Sequence, residues 1–175
     1  MDRRSVLRDA VVAGVIGATS VALWFLVLDL IAGQPFETPA ALGRSLIGVL
    51  GPAGSEGMAV HVIVYTLFHY AAFFVVALVA SLIVHLGEER QPGLLAGAMI
   101  LFVAFEIGFT VLASILTYYS GFQGNHSWVA VAVGNLIAAL AMGVYLWRRH
   151  PALGRRLSAA LQGEDDVPMR RPAGR

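Results

Sequence analysis

Four long apolar segments constrain the fold of this chain more than any other feature. They run from about 10 to 31, 60 to 86, 94 to 118 and 127 to 147. Each reaches the roughly 20 residues that a helix needs to cross a bilayer, and none alternates with a period of two as a strand would. The sequence therefore predicts an all-α fold, a four-transmembrane-helix bundle.

The composition supports lipid as the solvent of this chain. Of its 175 residues 58% are hydrophobic and only 13% are charged, whereas soluble domains carry about a quarter charged residues. A soluble chain of this length does not bury so much apolar surface. There is no cysteine, which excludes disulfides and thiolate metal sites.

Arginine placement predicts the orientation of the bundle. Arg44 follows the first span, and every other arginine near a span is on the side that carries both termini. These are Arg3, Arg4 and Arg8 before the first span, Arg90 between the second and third, and Arg148, Arg149, Arg155 and Arg156 after the fourth. By the positive-inside rule, we expect both termini in the cytoplasm of a bacterial cell and a multi-pass protein of the inner membrane.

The segments outside the spans suggest two further helices. In the first external loop, Thr38-Pro39 is a start signal and Gly51-Pro52 a stop signal. The helix between them is too short to span, and Arg44 favours a position flat at the outer interface over re-entry into the bundle. Residues 1–150 thus form the transmembrane domain, and 151–175 a cytoplasmic juxtamembrane helix with a disordered tail.

The apolar spans and the C-terminal arginines also predict the binding partners of the chain. The lipid bilayer is the first, and the C-terminal arginines beside the apolar face of the juxtamembrane helix predict contact with anionic lipid. A homo-oligomer or a membrane-complex partner is also compatible with the sequence, whereas the arginines show no nucleic-acid-binding pattern.

Small residues spaced four apart predict where the helices pack. In lipid, close helix contact depends on side chains that let backbones approach each other. Such rows occur in the first, third and fourth spans; they are Ala10, Gly14 and Ala18; Gly93 and Gly97; Gly134 and Ala138; and Ala139 and Gly143.

Polar residues at membrane depth form a first candidate site. Glu106 lies in the middle of the third span, where an acidic side chain costs about 2.5–3.5 kcal/mol to insert. Helix rise places His69 and Asn135 within about one turn of its depth, and Tyr65 shares a helix face with His69. These four residues are candidates for a proton or ion relay. Hydrogen bonds that merely hold neighbouring helices together are the alternative.

A second candidate site lies at the outer ends of the spans. His61, His126 and Asp29 share that depth and predict a metal site with imidazole and carboxylate ligands. A haem between His61 and His126 is the other reading of the same pair. His85 is expected to be a solvated interface residue, and His150 to lie at the inner surface.

No catalytic motif is present, and no motif specifies a cofactor. The favoured function is that of a non-catalytic membrane protein or an accessory subunit of a membrane complex. The alternatives are a small proton- or ion-coupled carrier that uses Glu106, and a metal- or haem-binding redox protein.

The segment DLIAGQPFETPAALG, residues 29–43, joins the first span to the external loop. With the four-span pattern, it resembles uncharacterised small bacterial four-helix integral membrane proteins. The resemblance implies membrane class and location, and no activity.

Overall fold

A computed structural model of the chain describes residues 3–51, 56–89 and 128–151. These ranges contain four helices and no strand: α1 (Arg3–Ile31), α2 (Glu37–Leu50), α3 (Met58–Glu89) and α4 (Trp128–Arg149). Helices α1, α3 and α4 are each long and apolar enough to cross a membrane, and they correspond to the predicted first, second and fourth spans. The predicted third span, and the juxtamembrane helix and tail after 151, lie outside the described residues.

Helix α1 packs against both α3 and α4. Its buried row includes Ala10, Gly14 and Ala18, which confirms the predicted small-residue contact. At Gly14 the approach is so close that a Cβ would lie 3.1 Å from the Cα of Phe74. Because backbone atoms of α3 form this contact, they cannot rotate away as a side chain would.

Helix α4 meets α1 through one of its two predicted small-residue rows. Gly134 lies beside Trp24 of α1, and the Trp24 indole Nε1 donates a 2.8 Å hydrogen bond to the carbonyl of Ala130. Ala138 of the same row is buried. Gly143 of the other row is exposed, and a Cβ there would meet nothing within 4 Å among the described residues.

Helix α2 begins one residue before the predicted Thr38 cap, because α1 supplies the cap. Both oxygens of the buried Asp29 carboxylate accept from Thr38, at 2.9 Å from its backbone N–H and 2.6 Å from its hydroxyl. The preceding Phe36 adopts a left-handed conformation (φ 68°) to make the turn. The helix ends at Leu50, where the Gly51 N–H bonds the carbonyl of Ile47, as the stop signal predicts.

Helix α2 lies against the first turns of α3. At the contact, a Cβ on Gly43 would collide with the backbone carbonyl of His61. Ser45 is buried, and Arg44 between them in the chain is exposed. Gly43 thus packs against the backbone of α3, while the position of α2 relative to the bilayer stays a prediction.

Candidate metal centre

Three metal-ligating side chains meet at the end of the bundle where α1 begins and α3 and α4 end. Asp9, His85 and His150 are 1%, 8% and 8% exposed. One ligand atom from each lies within 4.8 Å of the other two. We call this set the Asp9 cluster. It assembles only on folding, since its members come from α1, α3 and the residue after α4.

The two imidazoles face the same carboxylate oxygen. His150 Nε2 lies 3.0 Å from Asp9 Oδ2, and His85 Nε2 lies 3.9 Å from it. The two rings are arranged edge to face, with centroids 4.7 Å apart. The small residues of α1 allow this arrangement, because a short aspartate side chain reaches two other helices only when the backbones are close.

The ring of His85 is oriented by a backbone carbonyl. The Nδ1–H of His85 donates to the carbonyl of Ser81 at 2.9 Å, so the neutral ring carries its lone pair on Nε2. Ser5 Oγ lies 3.2 Å from that Nε2 and donates to it. The His150 backbone N–H bonds the carbonyl of Leu146 at 2.9 Å and holds His150 at the end of α4. A backbone carbonyl bound to the remote ring nitrogen is the usual support of a metal-bound histidine.

The other oxygen of Asp9 is held by different groups. Oδ1 accepts a hydrogen bond from the Tyr145 hydroxyl at 3.3 Å. It also lies 3.5 Å from Nε of Arg149 and 3.9 Å from Nε of Arg8. The two oxygens of the carboxylate therefore have different partners: Oδ2 faces the two imidazoles, and Oδ1 faces one hydroxyl and two guanidinium groups.

The donor set fits a transition-metal ion. Imidazole nitrogen with carboxylate oxygen suits Zn²⁺, Cu²⁺, Ni²⁺ or Fe²⁺, whereas Mg²⁺ and Ca²⁺ prefer oxygen alone. A tetrahedral ion with bonds of about 2.0–2.1 Å would keep its ligand atoms roughly 3.4 Å apart. The observed separations from Asp9 Oδ2, 3.0 Å and 3.9 Å, lie on either side of that value.

The prediction that His85 is a solvated interface residue is wrong. The buried residues of α3 recur mostly at steps of four, which brings His85 into the buried row: His61, His69, Phe73, Ala77, Ser81 and His85. Residues four apart on a straight helix differ in direction by about 40°, so an argument from one fixed direction places His85 outside the buried face. Packed helices cross each other, however, and their contact follows a row of residues spaced four apart.

Sequence reasoning also missed Asp9. It follows Arg8 at the start of an apolar helix, where a charged residue is expected to belong to the solvated segment that precedes a span. The available signal was its position between Val6 and Ala13 in the row that α1 buries. His150 carried no comparable signal, because its burial depends on the end of α4 meeting α1.

Of the predicted relay residues, the structure brings His69 and Tyr65 together, with ring centroids 5.4 Å apart. His69 Nε2–H donates to the carbonyl of Ala18 at 3.0 Å, and its Nδ1 lies 3.5 Å from the Tyr65 hydroxyl. Asn135 is buried, and its Nδ2 has no hydrogen-bond acceptor among the described residues. Glu106 lies outside them. The contacts of His69 join α1 to α3, and the relay stays a prediction.

The predicted outer metal or haem site is described only in part. His61 is buried, and neither of its ring nitrogens has a hydrogen-bond partner within 3–51, 56–89 and 128–151. Both oxygens of Asp29 bind Thr38, and His126 lies outside the described residues. This site therefore also stays a prediction.

Comparison with known proteins gives no relative for this chain. It matches no protein-family model, no curated protein and no solved structure.

Proposed function

We propose that this chain is an integral protein of the bacterial inner membrane that binds one divalent transition-metal ion through Asp9, His85 and His150. The observation that carries the proposal is the Asp9 cluster itself. Three buried side chains from separate helices offer ligand atoms within 4.8 Å of one another.

The membrane part of the proposal is supported by three helices that are long and apolar enough to span. The arginines in the first turns of α1 and at the end of α4 favour the cytoplasm for the end that carries the Asp9 cluster. The ion would then be taken from the cytoplasmic side, and both termini would lie there.

Each residue of the cluster has a defined task in this proposal. Asp9 Oδ2 and the Nε2 atoms of His85 and His150 bind the ion, which displaces the proton that His150 Nε2 donates to Asp9 in the metal-free chain. The Ser81 carbonyl keeps His85 in the tautomer that a metal requires. Tyr145 holds Asp9 Oδ1, so that the carboxylate presents its other oxygen to the imidazoles.

The ion joins three helices at one end of the bundle. It would hold α1, α3 and the end of α4 together with free energy that the metal-free chain lacks. Three protein ligands leave room for a further ligand, as in sites that exchange water or a small molecule. This role fits a non-catalytic membrane protein or an accessory subunit of a membrane complex.

Metal content of the purified chain tests the proposal. The full chain in detergent is stripped with a chelator and dialysed against Zn²⁺ or Co²⁺, with Mg²⁺ as the comparison ion. We expect one equivalent of Zn²⁺ or Co²⁺ and none of Mg²⁺. Asp9→Asn and His85→Ala should each lose the bound metal while circular dichroism reports an unchanged helix content.

His61→Ala is the matched control, because it removes an equally buried imidazole from the other end of α3. It should retain the full equivalent. Loss of bound metal in His61→Ala, with bound metal retained in His85→Ala, would place the metal site at the outer end of the bundle instead. A wild-type chain that binds no metal in excess Zn²⁺ or Co²⁺ would leave the Asp9 cluster as a hydrogen-bonded contact between helices.

A further inference from the structure

Two arginines from different helices converge on one oxygen of the Asp9 cluster. Nε of Arg149, in the last turn of α4, lies 3.5 Å from Asp9 Oδ1, and Nε of Arg8, in α1, lies 3.9 Å from it. Their side chains are 42% and 62% exposed. Both contacts are made through Nε; the two Nη groups of each guanidinium carry the other four of its five N–H donors and can bind another acceptor.

The charge of this region changes sharply when a metal ion binds. The two guanidiniums and a divalent ion bring four positive charges to a single carboxylate, with both imidazoles neutral as ligands. The ligand atoms are buried in the bundle, where unbalanced charge is costly. An anion beside the ion would reduce that imbalance.

A phosphate group matches these donors best. Guanidinium groups bind phosphate with two parallel hydrogen bonds, and a phosphate oxygen is also a good ligand for the position that three protein ligands leave open. The arginines lie at the end of two apolar helices, which is the depth of phospholipid headgroups.

We propose that Arg8 and Arg149, together with a metal ion on the Asp9 cluster, form a binding site for a phosphate group. The group comes either from an anionic phospholipid or from free phosphate. This inference rests on the proposed metal-binding function, because the ion supplies half of the positive charge.

The proposal predicts that metal and phosphate bind cooperatively. It also predicts that the two arginines weaken metal binding when phosphate is absent and strengthen it when phosphate is present. Without phosphate, the two guanidiniums repel a cation that approaches Asp9. When phosphate is present, the two guanidiniums bind the phosphate, and the phosphate in turn attracts the metal ion. Because linkage is reciprocal, phosphate must raise the metal affinity by the same factor by which metal raises the phosphate affinity.

The first test measures the Co²⁺ affinity of the full chain in detergent, with inorganic phosphate or with chloride at equal ionic strength. Phosphate should tighten Co²⁺ binding to the wild-type chain by at least about fivefold, the lower range of coupling between sites. In the double variant Arg8→Gln/Arg149→Gln the phosphate effect should vanish. In chloride, that variant should bind Co²⁺ more tightly than the wild type. Arg44→Gln, which removes an exposed arginine from α2, should behave as the wild type.

The second test identifies the source of the phosphate group. The chain is placed in nanodiscs of phosphatidylcholine, with or without phosphatidylglycerol, in phosphate-free buffer. Tighter Co²⁺ binding with phosphatidylglycerol, in the wild type but not in the double variant, assigns the site to a lipid headgroup. A response to inorganic phosphate alone assigns it to free phosphate.

The outcomes separate this inference from the function beneath it. A wild-type chain that binds Co²⁺ with one affinity in every condition overturns the phosphate site and leaves the metal site standing. An equal phosphate effect in the double variant also overturns it. A chain that binds no Co²⁺ in any condition overturns the metal function, and the phosphate site with it.

Discussion

His150 Nε2–H donates a hydrogen bond to Asp9 Oδ2 across 3.0 Å, although 141 positions separate the two residues. The bond joins the residue after α4 to the first turns of α1 inside a buried cluster. It is shorter than the contacts of Asp9 with Tyr145, Arg149 and Arg8, and no local sequence pattern predicts it.

Removing this bond should destabilise the metal-free chain. Replacing His150 with Ala deletes a buried hydrogen bond to a charged group, which is worth about 1.5–3 kcal/mol. We expect the free energy of unfolding, measured by denaturant titration in detergent with chelator present, to fall by that amount. His61→Ala serves as the control, because the His61 ring makes no hydrogen bond in the part of the chain that the structure describes. An equal loss in both variants would show that burial of the ring matters and the bond does not.

Metal binding should raise the stability of the wild-type chain. A ligand that binds only the folded state at about 100 times its dissociation constant adds about 2.7 kcal/mol to the free energy of unfolding. The melting temperature should therefore rise when Zn²⁺ is added to chelator-stripped protein, and return when chelator is restored. The rise should be absent in Asp9→Asn, which keeps the shape of the side chain but lacks the ligand charge. A full rise in that variant would contradict ligation by Asp9.

The three helices that are long and apolar enough to span a membrane could be predicted because their signal is local. A run of apolar residues decides by its own length whether a helix crosses a bilayer, and α3 and α4 accordingly begin and end within three residues of the predicted limits. The row of Ala10, Gly14 and Ala18 was likewise visible, since close packing in lipid depends on residue size at helical spacing.

The site could not be predicted in the same way, because it depends on how helices cross. Asp9, His85 and His150 each look ordinary within their own segment, and only the rotation of the α3 contact row brings His85 towards Asp9. Asp29 is a second case of this kind. Both of its oxygens accept hydrogen bonds from Thr38 at the start of α2, and no pattern within its own helix indicates that contact.

The contact of α1 with α3 should not tolerate a side chain at Gly14. A Cβ at this position would lie 3.1 Å from the Cα of Phe74 and 3.2 Å from the carbonyl oxygen of Phe73. Gly14→Ala should therefore lower the free energy of unfolding by about 1–3 kcal/mol, as overpacked positions do. Gly143→Ala is the matched control, because a Cβ there meets nothing within 4 Å among the described residues. Equal denaturation midpoints for the two variants would contradict the close approach.

The cap that Asp29 provides should hold α2 against α3. Asp29→Ala removes both acceptors of the Thr38 N–H and hydroxyl, and loss of a helix cap costs about 0.5–2 kcal/mol. The chain contains no cysteine, so one introduced thiol can report the movement of α2. Ser45→Cys, at a buried position of α2, should react slowly with a water-soluble maleimide and several times faster once Asp29 is replaced. Val49→Cys, at an exposed position of the same helix, should react at one rate in both backgrounds. Unchanged labelling of Ser45→Cys in the Asp29→Ala chain would mean that packing of Gly43 against His61 holds α2 without the cap.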